Sequence, residues 1–470
     1  MNIIFGTDGW RGLLDSEMND DSVALVAQAF ADYALRLKAA PSVAIGYDGR
    51  RNSKKFAELF ASILAANSIR YHLSDRVVPT PVVSYAVKAR SLDLGVMITA
   101  SHNPPEYNGI KFKASYGGPF ITEETHIVES LIGKNPVRRS AEPVVTEDLL
   151  SLYLSQLRSF VDLRMIAQSG IRPLIDSMSG AGGETLQHLL EEHQTGARTI
   201  FGTPNETFSG RLAEPIEKNL KPLSEGLNEG EYSLGVATDG DADRLGVLLE
   251  NGDWLSSQET ILLLTDHLKR TKGIIGDVIK TSSVTNLIKA NFETDECRVH
   301  DVQVGFKYIC EKMLETDAAF GAEESGGYGF KGHLPERDGI LSALIFMEML
   351  ALSPYKKLSE YVRSKRKEFG EIYYDRIDHP YHAADRNDKL PHLAEHSPAS
   401  IASFTVVDTA AFFSSRGIVN GLKFSLKGKA RWLLLRSSET EPLIRIYAEG
   451  ESADEVKDIL NAGMELIEHH

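Results

Sequence analysis

Val43-Ala-Ile-Gly-Tyr-Asp48, Ser53-Lys-Lys-Phe-Ala-Glu-Leu-Phe-Ala-Ser-Ile-Leu-Ala-Ala66 and Ile69-Arg-Tyr-His-Leu73 follow one another with only short connections between them. The first and third are apolar runs of strand length. The second carries Phe56, Leu59, Phe60, Ile63 and Leu64 at helical spacing, with Asn52 placed to cap it and Asn67 to close it. A strand–helix–strand unit of this length predicts parallel sheet with a right-handed crossover. The same rhythm returns at Ile171–Asp176 followed by Gly183–Glu192, and at Gly273–Asp277 followed by Val284–Ala290. The fold class expected is therefore α/β, with three consecutive related domains of mixed or parallel sheet.

Beyond the basic stretch Ser364–Phe369 the texture changes. His379–Ser397 reads as loop, and the runs Ser403–Val407, Leu422–Ser425, Arg431–Leu435 and Leu443–Ala448 read as strands before a final helix, Ala453–Ile467. This predicts a smaller C-terminal α+β domain. Boundaries are expected to give 1–142, 143–250, 251–366 and 367–470, with a helical stretch at Thr146–Phe160 after the polar link Gly133–Pro143.

Length, at 470 residues, is too great for one core and agrees with several domains. The net charge of −15 argues against nucleic acid and anionic membrane surfaces as partners, while leaving room for a small anionic ligand held by a local basic cluster. Two cysteines, Cys297 and Cys310, cannot staple such a chain and match no metal spacing, so a reducing cytoplasmic location is expected. No signal peptide and no apolar stretch of membrane-spanning length is read.

Four loops carry chemistry. Gly95-Val-Met-Ile-Thr-Ala-Ser-His-Asn-Pro104 runs from a strand into a turn that presents Ser101, with Pro104 and Pro105 stiffening the backbone. Loops at the carboxyl ends of parallel strands are where α/β proteins place reacting groups, although an ordinary strand-ending turn can look the same. His102 beside Ser101 does not by itself make a Ser–His dyad. Asp239-Gly-Asp241-Ala-Asp243-Arg244 puts three carboxylates at alternate positions, where they can converge on one hard cation. With Glu250 it also imitates an EF-hand, but Arg244 stands where glycine is required, and the flanking runs Leu234–Ala237 and Leu245–Leu249 read as strands. Mg²⁺ completed by water and a phosphate oxygen fits better, with Arg244 next to it to meet a phosphate.

Gly321-Ala-Glu-Glu-Ser-Gly-Gly-Tyr-Gly-Phe330 lacks a P-loop pattern, but Glu323 and Ser325 lie two apart and can bracket vicinal hydroxyls; a flexible hairpin is the alternative. Arg436-Ser-Ser-Glu-Thr-Glu-Pro442 offers Arg436, Ser438, Thr440 and turn amides as an anion nest, or is simply a polar turn. Arg11 in Phe5–Gly12, Lys111 in Tyr107–Phe112, Lys307 in Val304–Tyr308, and Arg337 are further cations; each alone reads as a solvated surface charge.

In this order, the four loops resemble those of the α-D-phosphohexomutase superfamily (phosphoglucomutase/phosphomannomutase type) along the whole chain. Thr99–Pro104 is similar to its phosphoserine loop, Asp239–Arg244 to its metal loop, Gly321–Gly327 to its sugar loop and Arg436–Pro442 to its phosphate loop. Phe5–Gly12 and Glu214–Pro222 also resemble that family. The resemblance implies four domains around a central cleft and phosphoryl transfer between O1 and O6 of a hexose through a 1,6-bisphosphate. It implies Ser101 as phosphate carrier and metal ligand, one Mg²⁺ per subunit on Asp239, Asp241 and Asp243, and a hexose 1,6-bisphosphate activator. Lys111, Arg11, His102 and Arg244 become catalytic groups, with Lys111 as general base, and Glu323, Ser325, Lys307, Arg436, Ser438 and Thr440 become substrate contacts. The partners implied are hexose phosphates, in a monomer or homodimer.

Glu-Glu-Ser-Gly-Gly at 323–327 looks more like glucose-type phosphoglucomutases than the Glu-Gln-Ser-Gly-His of phosphoglucosamine mutases or the Glu-Met-Ser-Gly-His of dual mannose/glucose enzymes, with Gly327 in place of histidine. Ala322 and Glu439 also depart from the family pattern. Glucose is the expected hexose, with mannose as a further substrate. The rival readings are a phosphoglucosamine mutase, a glucose 1,6-bisphosphate synthase, a sugar phosphatase and a non-catalytic sugar-phosphate binder. The last expects damage at Ser101, the aspartates or Arg436, and all are intact.

Overall fold

A computed structural model describes every residue except 1–2, 7, 383–385, 415–416, 438–441 and 470. The chain divides into two compact units. One is formed by Met1–Ser257, Gly305–Glu315 and Phe320–Val362, the other by Gln258–Val304, Thr316–Ala319 and Arg363–His470.

In the first unit Ser42–Tyr47 lies between Arg70–Ser74 and Leu94–Ile98, parallel to both. Tyr107–Lys113 returns antiparallel beside Leu94–Ile98, and Trp10–Leu13 pairs antiparallel beyond it. The expected helix spans Ser53–Ala66, and its Phe56, Phe60, Ile63 and Leu64 are buried in one core with Phe30, Phe112 and Phe120. A second sheet repeats the succession. Pro173–Asp176 lies between Arg198–Ile200 and Leu234–Thr238, parallel to both, and Leu245–Leu249 returns antiparallel. In the third repetition, Asp277–Thr281 runs parallel to Val299–Val302 in the second unit, and Ala318–Ala322 forms an antiparallel hairpin with Tyr328–Phe330.

The three hairpin connections are residues 99–106, 239–244 and 323–327. Each leaves the carboxyl end of its first strand, so three of the four candidate loops occupy the same place in three related folding units.

The second unit also contains an antiparallel sheet of Tyr373–Pro380, Leu443–Gly450, Trp432–Ser437, Val419–Leu426, Phe404–Phe413 and Ser400–Ile401, in that order. Ile459 and Leu460 of the terminal helix Ala453–His469 pack on its Leu433, Leu435, Ile444 and Ile446. Within this unit a polar cluster joins the sheet to the Asp277–Val302 segment, with Lys280, Lys423 and Glu449 buried and Asp301 at its exposed edge. Lys423 Nζ donates to Asp301 Oδ2 (2.8 Å) and stands 4.7 Å over the Trp432 ring, and Lys280 Nζ contacts Asp301 Oδ1 (2.5 Å). Glu449 accepts from Asn286 N (2.9 Å), Thr285 Oγ1 and Trp432 Nε1. Burial draws Lys280 down to about 8 against the pull of Asp301.

Several sequence expectations are corrected. Asn52 has a left-handed backbone (φ 67°) and makes no side-chain cap. The third parallel strand is Asp277–Thr281, not Gly273–Asp277; Gly273 and Gly276 are left-handed, and a Cβ at Gly276 would stand 2.2 Å from Asp317 O. The helix expected from Thr146 starts at Leu150, because Thr146–Glu147 pairs with Leu73–Ser74 as an edge strand. His379–Ser397 is not all loop: a strand runs to Pro380, and Arg386–Glu395 is helical despite Pro391, with Leu390 and Leu393 buried. No helix among the described residues is long and apolar enough to cross a membrane.

Lys113 Nζ meets Glu336 Oε2 at 2.5 Å, with both side chains fully buried. Such a pair holds two segments in register, because removing one partner strands a charge away from water. Lys113→Met is expected to destabilise the first unit by about 3–5 kcal/mol, and Lys113→Met/Glu336→Leu to recover most of that loss in thermal melts.

Candidate active site

Ser101 does not project outward as the sequence reading had it. It is fully buried, with φ at +54°, a left-handed conformation that is costly for a residue with a Cβ. Its N–H donates to Thr99 Oγ1 (2.8 Å), and its Oγ donates to Asp239 Oδ2 at 2.7 Å. His102 Nδ1 lies 3.4 Å from the same Oγ, a marginal contact. Burial, reinforced by Arg244 and Arg11, pushes His102 well below the usual histidine range, so it is neutral.

The aspartate loop packs directly on the serine loop. A Cβ on Gly240 would stand 2.2 Å from Ser101 O, so only glycine allows this approach. Asp239 Oδ1 accepts from the N–H groups of Asp243 (3.0 Å) and Arg244 (3.1 Å), which curls the loop around that carboxylate. One carboxylate oxygen from each of Asp239, Asp241 and Asp243 falls within 4.8 Å of the others, and all three residues are buried. Glu250, the EF-hand position, instead accepts from Ser359 N (3.0 Å) and Ser359 Oγ (2.5 Å).

Of the cations read singly as surface charges, Lys111, Lys307 and Arg337 are buried and Arg11 is partly exposed. Lys111 is 1% exposed; its Nζ contacts Asp241 Oδ2 (2.8 Å), Asp243 Oδ2 (2.9 Å) and Asp8 Oδ2 (2.9 Å). Burial alone would lower its proton affinity, but the three carboxylates outweigh that, and Lys111 is held protonated. Arg337 Nη2 pairs with Asp243 Oδ2 (2.8 Å) and with Asp8, and its Nη1 reaches Glu323 Oε1 (3.2 Å). Arg244 Nε is 4.0 Å from both Asp239 Oδ2 and Asp243 Oδ1. Arg11 Nη1 donates to Asn103 Oδ1 at 2.5 Å.

The third loop joins the same cluster. Leu245 N donates to Gly326 O (2.9 Å), and Ser325 Oγ donates to Glu323 Oε1 (2.6 Å), so Glu323 and Ser325 do point together. Gly327 has no room for a side chain: a Cβ would lie 2.3 Å from Arg337 Cδ and 2.9 Å from Glu323 Oε1. Lys307 is buried at the start of the Phe306–Glu315 helix, over the Tyr308 ring. Arg436 closes a strand of the second unit, with a buried Nε that has no hydrogen-bond partner among the described residues. Ser438 and Thr440 lie outside the described residues.

The donor set suits a hard cation. Among the described residues Asp241 Oδ1 and Asp243 Oδ1 are buried without hydrogen-bond partners, while the opposite oxygens are engaged by Lys111, Arg337 and Thr80 Oγ1 (2.5 Å to Asp241 Oδ2). Burial and the charges of Asp241 and Asp243 raise Asp239 well above the usual carboxylate range, the electrostatic signature of negative charge in excess at one point. Asp8 and Thr80 were missed in sequence. Asp8 sits in the Phe5–Gly12 run already singled out, whereas Thr80 gives no sequence signal.

Four family models match in chain order: phosphoglucomutase/phosphomannomutase α/β/α domain I at residues 2–138, domain II at 151–252, domain III at 256–369 and the C-terminal domain at 387–465. A phosphoglucomutase/phosphomannomutase of Thermococcus kodakarensis is 29% identical over 100% of this chain and 99% of its own. A phosphoglucosamine/phosphogalactosamine mutase of Sulfurisphaera tokodaii is 28% identical, with both chains covered fully. Among solved structures, a Thermus thermophilus protein assigned as a phosphomannomutase superposes with a TM-score of 0.85 at 33% identity, over 100% of this chain and 99% of that one. The order of the loops, the repeated hairpins that carry three of them and these full-length matches lead to one conclusion: the chain belongs to the phosphoglucomutase/phosphomannomutase family of α-D-phosphohexomutases, which are mutase enzymes.

Proposed function

We propose that this enzyme interconverts hexose 1-phosphate and hexose 6-phosphate, with glucose as the preferred hexose, by way of a phosphorylated Ser101. The observation that carries this reading is Ser101 Oγ, 2.7 Å from Asp239 within the buried aspartate triad. Asp239, Asp241 and Asp243 would hold Mg²⁺, with the Ser101 phosphate beside it. When bound, Mg²⁺ offsets negative charge on the phosphoryl group being transferred.

In the forward half-reaction the bond between phosphorus and Ser101 Oγ breaks as a sugar hydroxyl forms its own bond to phosphorus. The hydroxyl proton ends on Ser101 Oγ, with Lys111 as the intermediate base. The product is a hexose 1,6-bisphosphate, which turns around, and the reverse transfer from its other end restores the phosphoserine. Lys111 can serve as a base only when the carboxylates that now hold its proton are neutralised, so its role depends on charge balance at the triad. Arg11, Arg244 and the neutral His102 line the Ser101 side and hold phosphate oxygens. Glu323 and Ser325 would grip hydroxyls that fall in similar places in both orientations. Arg436, Ser438 and Thr440 are assigned to the phosphate that does not react, and Lys307 is assigned as a further substrate contact. The four domains are assigned to 1–142, 143–250, 251–366 and 367–470, in a cytoplasmic monomer or homodimer that uses a hexose 1,6-bisphosphate as activator.

Gly327 supports glucose over glucosamine, because Arg337 fills the space that the histidine of the phosphoglucosamine pattern would need. The glucosamine reading keeps its own support in the name of the Sulfurisphaera tokodaii relative.

Intact-mass analysis is expected to find one phosphate, on Ser101, and Ser101→Ala to abolish turnover. With glucose, mannose and glucosamine 1-phosphates assayed in parallel, glucose is expected to give the highest kcat/KM and the 6-phosphate as product; free phosphate or free bisphosphate as main product would sink the mutase reading. Asp241→Asn is expected to weaken Mn²⁺ binding, read by electron paramagnetic resonance, by at least about tenfold. Gly327→His is expected to lower kcat/KM about 10- to 100-fold for every hexose, since Arg337 must leave its carboxylate partners to admit the ring.

A further inference from the structure

Arg50 has no part in the chemistry above. It follows the Ser42–Tyr47 strand, next to Arg51, which is exposed and pairs with Asp15 at 2.8 Å. The Arg50 side chain, by contrast, is completely buried. Its guanidinium donates to four main-chain carbonyls of the serine loop. Nη2 reaches Ser101 O and Asn103 O, both at 2.6 Å, and Nη1 reaches Pro104 O at 2.8 Å and Tyr107 O at 3.0 Å. Nε lies 3.2 Å from Asp48 Oδ2, and the ring of Phe208, from the second α/β segment, covers the guanidinium at 4.7 Å. Asp48 is fixed in turn, its Oδ1 accepting from Arg50 N (3.1 Å) and Ser53 Oγ (2.7 Å).

Four carbonyls converge on one guanidinium that is itself fully buried, and such groups need donors. A planar fork meets them in one plane; an ammonium, a single point charge on a flexible stem, does not. The loop supplies little of its own, with Asn103 N bonded to Ala100 O (3.1 Å) and Tyr107 N to Pro104 O (3.0 Å). Yet Ser101 sits in a left-handed conformation that persists only where its surroundings over-determine it. The Ser101 carbonyl accepts from Arg50 Nη2 and lies close against Gly240, where no Cβ would fit.

We infer that Arg50 is a positioning residue for phosphoryl transfer: it gathers the carbonyls of residues 101–107 and fixes Ser101 at one place and angle relative to the aspartate triad. This rests on Ser101 as the phosphoryl carrier. The residue acts through the loop and touches no sugar, so its loss falls on kcat and not on substrate affinity.

The test is steady-state kinetics with glucose 1-phosphate on Arg50→Lys, Phe208→Leu, Arg51→Met and Ser101→Ala, each with its melting temperature. Arg50→Lys is expected to lower kcat about a hundredfold with KM within about threefold, the scale of a 1 Å misplacement of a reacting group. Phe208→Leu, which removes the ring face but keeps an apolar side chain, is expected to lower kcat about tenfold, again with KM held. Arg51→Met is expected to change neither constant. A kcat for Arg50→Lys within about threefold of the parent, or a loss confined to KM, overturns the inference. If Arg50→Lys does not fold, Phe208→Leu decides in the same way: full kcat overturns, and a kcat-specific loss supports. Turnover by Ser101→Ala would overturn the carrier reading together with this one, whereas an inactive Ser101→Ala beside a normal Arg50→Lys removes only the role of Arg50.

Discussion

Burying many charges at one place in the first unit is the constraint on which its other features depend. Asp8, Asp239, Asp241, Asp243, Glu323 and Glu336 meet Lys111, Lys113, Arg244 and Arg337, all of them buried except the partly exposed Asp8. Removing a single ion from water costs several kcal/mol, so such a cluster is tolerable only when each charge has close partners of opposite sign. The partners come from distant stretches of chain, and the cluster therefore fixes where three separate hairpins can lie. What it leaves uncompensated is local: two aspartate oxygens without donors, and an aspartate whose proton affinity is raised. The protein has concentrated its unmet charge beside Ser101, where the proposed cation and phosphoryl group would meet.

Placing the serine, the aspartates and the Glu323–Gly327 loop in equivalent hairpin connections gives each the same support. In each, one strand delivers the loop and its antiparallel partner carries the chain away, so both ends are anchored in sheet hydrogen bonds. Loops held at both ends by sheet are short and stiff, which suits groups that must meet at fixed distances. The backbones of these hairpins also approach one another directly, as where Gly240 lies against Ser101 O and Gly326 O accepts from Leu245 N. Side chains at these positions would hold the loops apart.

The sequence made the first α/β segment readable because its helix stripe and flanking strands are strictly local patterns, and it made the aspartate triad readable because its members lie within five residues. The order of the four loops carried the family. Long-range pairing was hidden. Lys111 and Lys113 look like charges on a returning strand, but their carboxylates lie 130 and 223 residues away. Thr80 and Arg50 gave no signal either, since a threonine before a proline and an arginine in a turn are common. The helix at Arg386–Glu395 was obscured by Pro391, and only the burial of Leu390 and Leu393 explains it. The turn glycines Gly273 and Gly276 delayed the third parallel strand to Asp277.

The cluster of Lys280, Asp301, Lys423, Trp432 and Glu449 in the second unit bears on how the protein can be recombined. The C-terminal sheet supplies Lys423, Trp432 and Glu449, and the Asp277–Val302 segment supplies the rest. A hybrid that exchanged only the C-terminal sheet with that of a relative would leave the fully buried Lys280 and its partner Asp301 facing foreign side chains. The heritable module here is consequently larger than the C-terminal sheet: it includes the strand pair Asp277–Thr281 and Val299–Val302, so changes on the two sides of this junction are constrained to accumulate together.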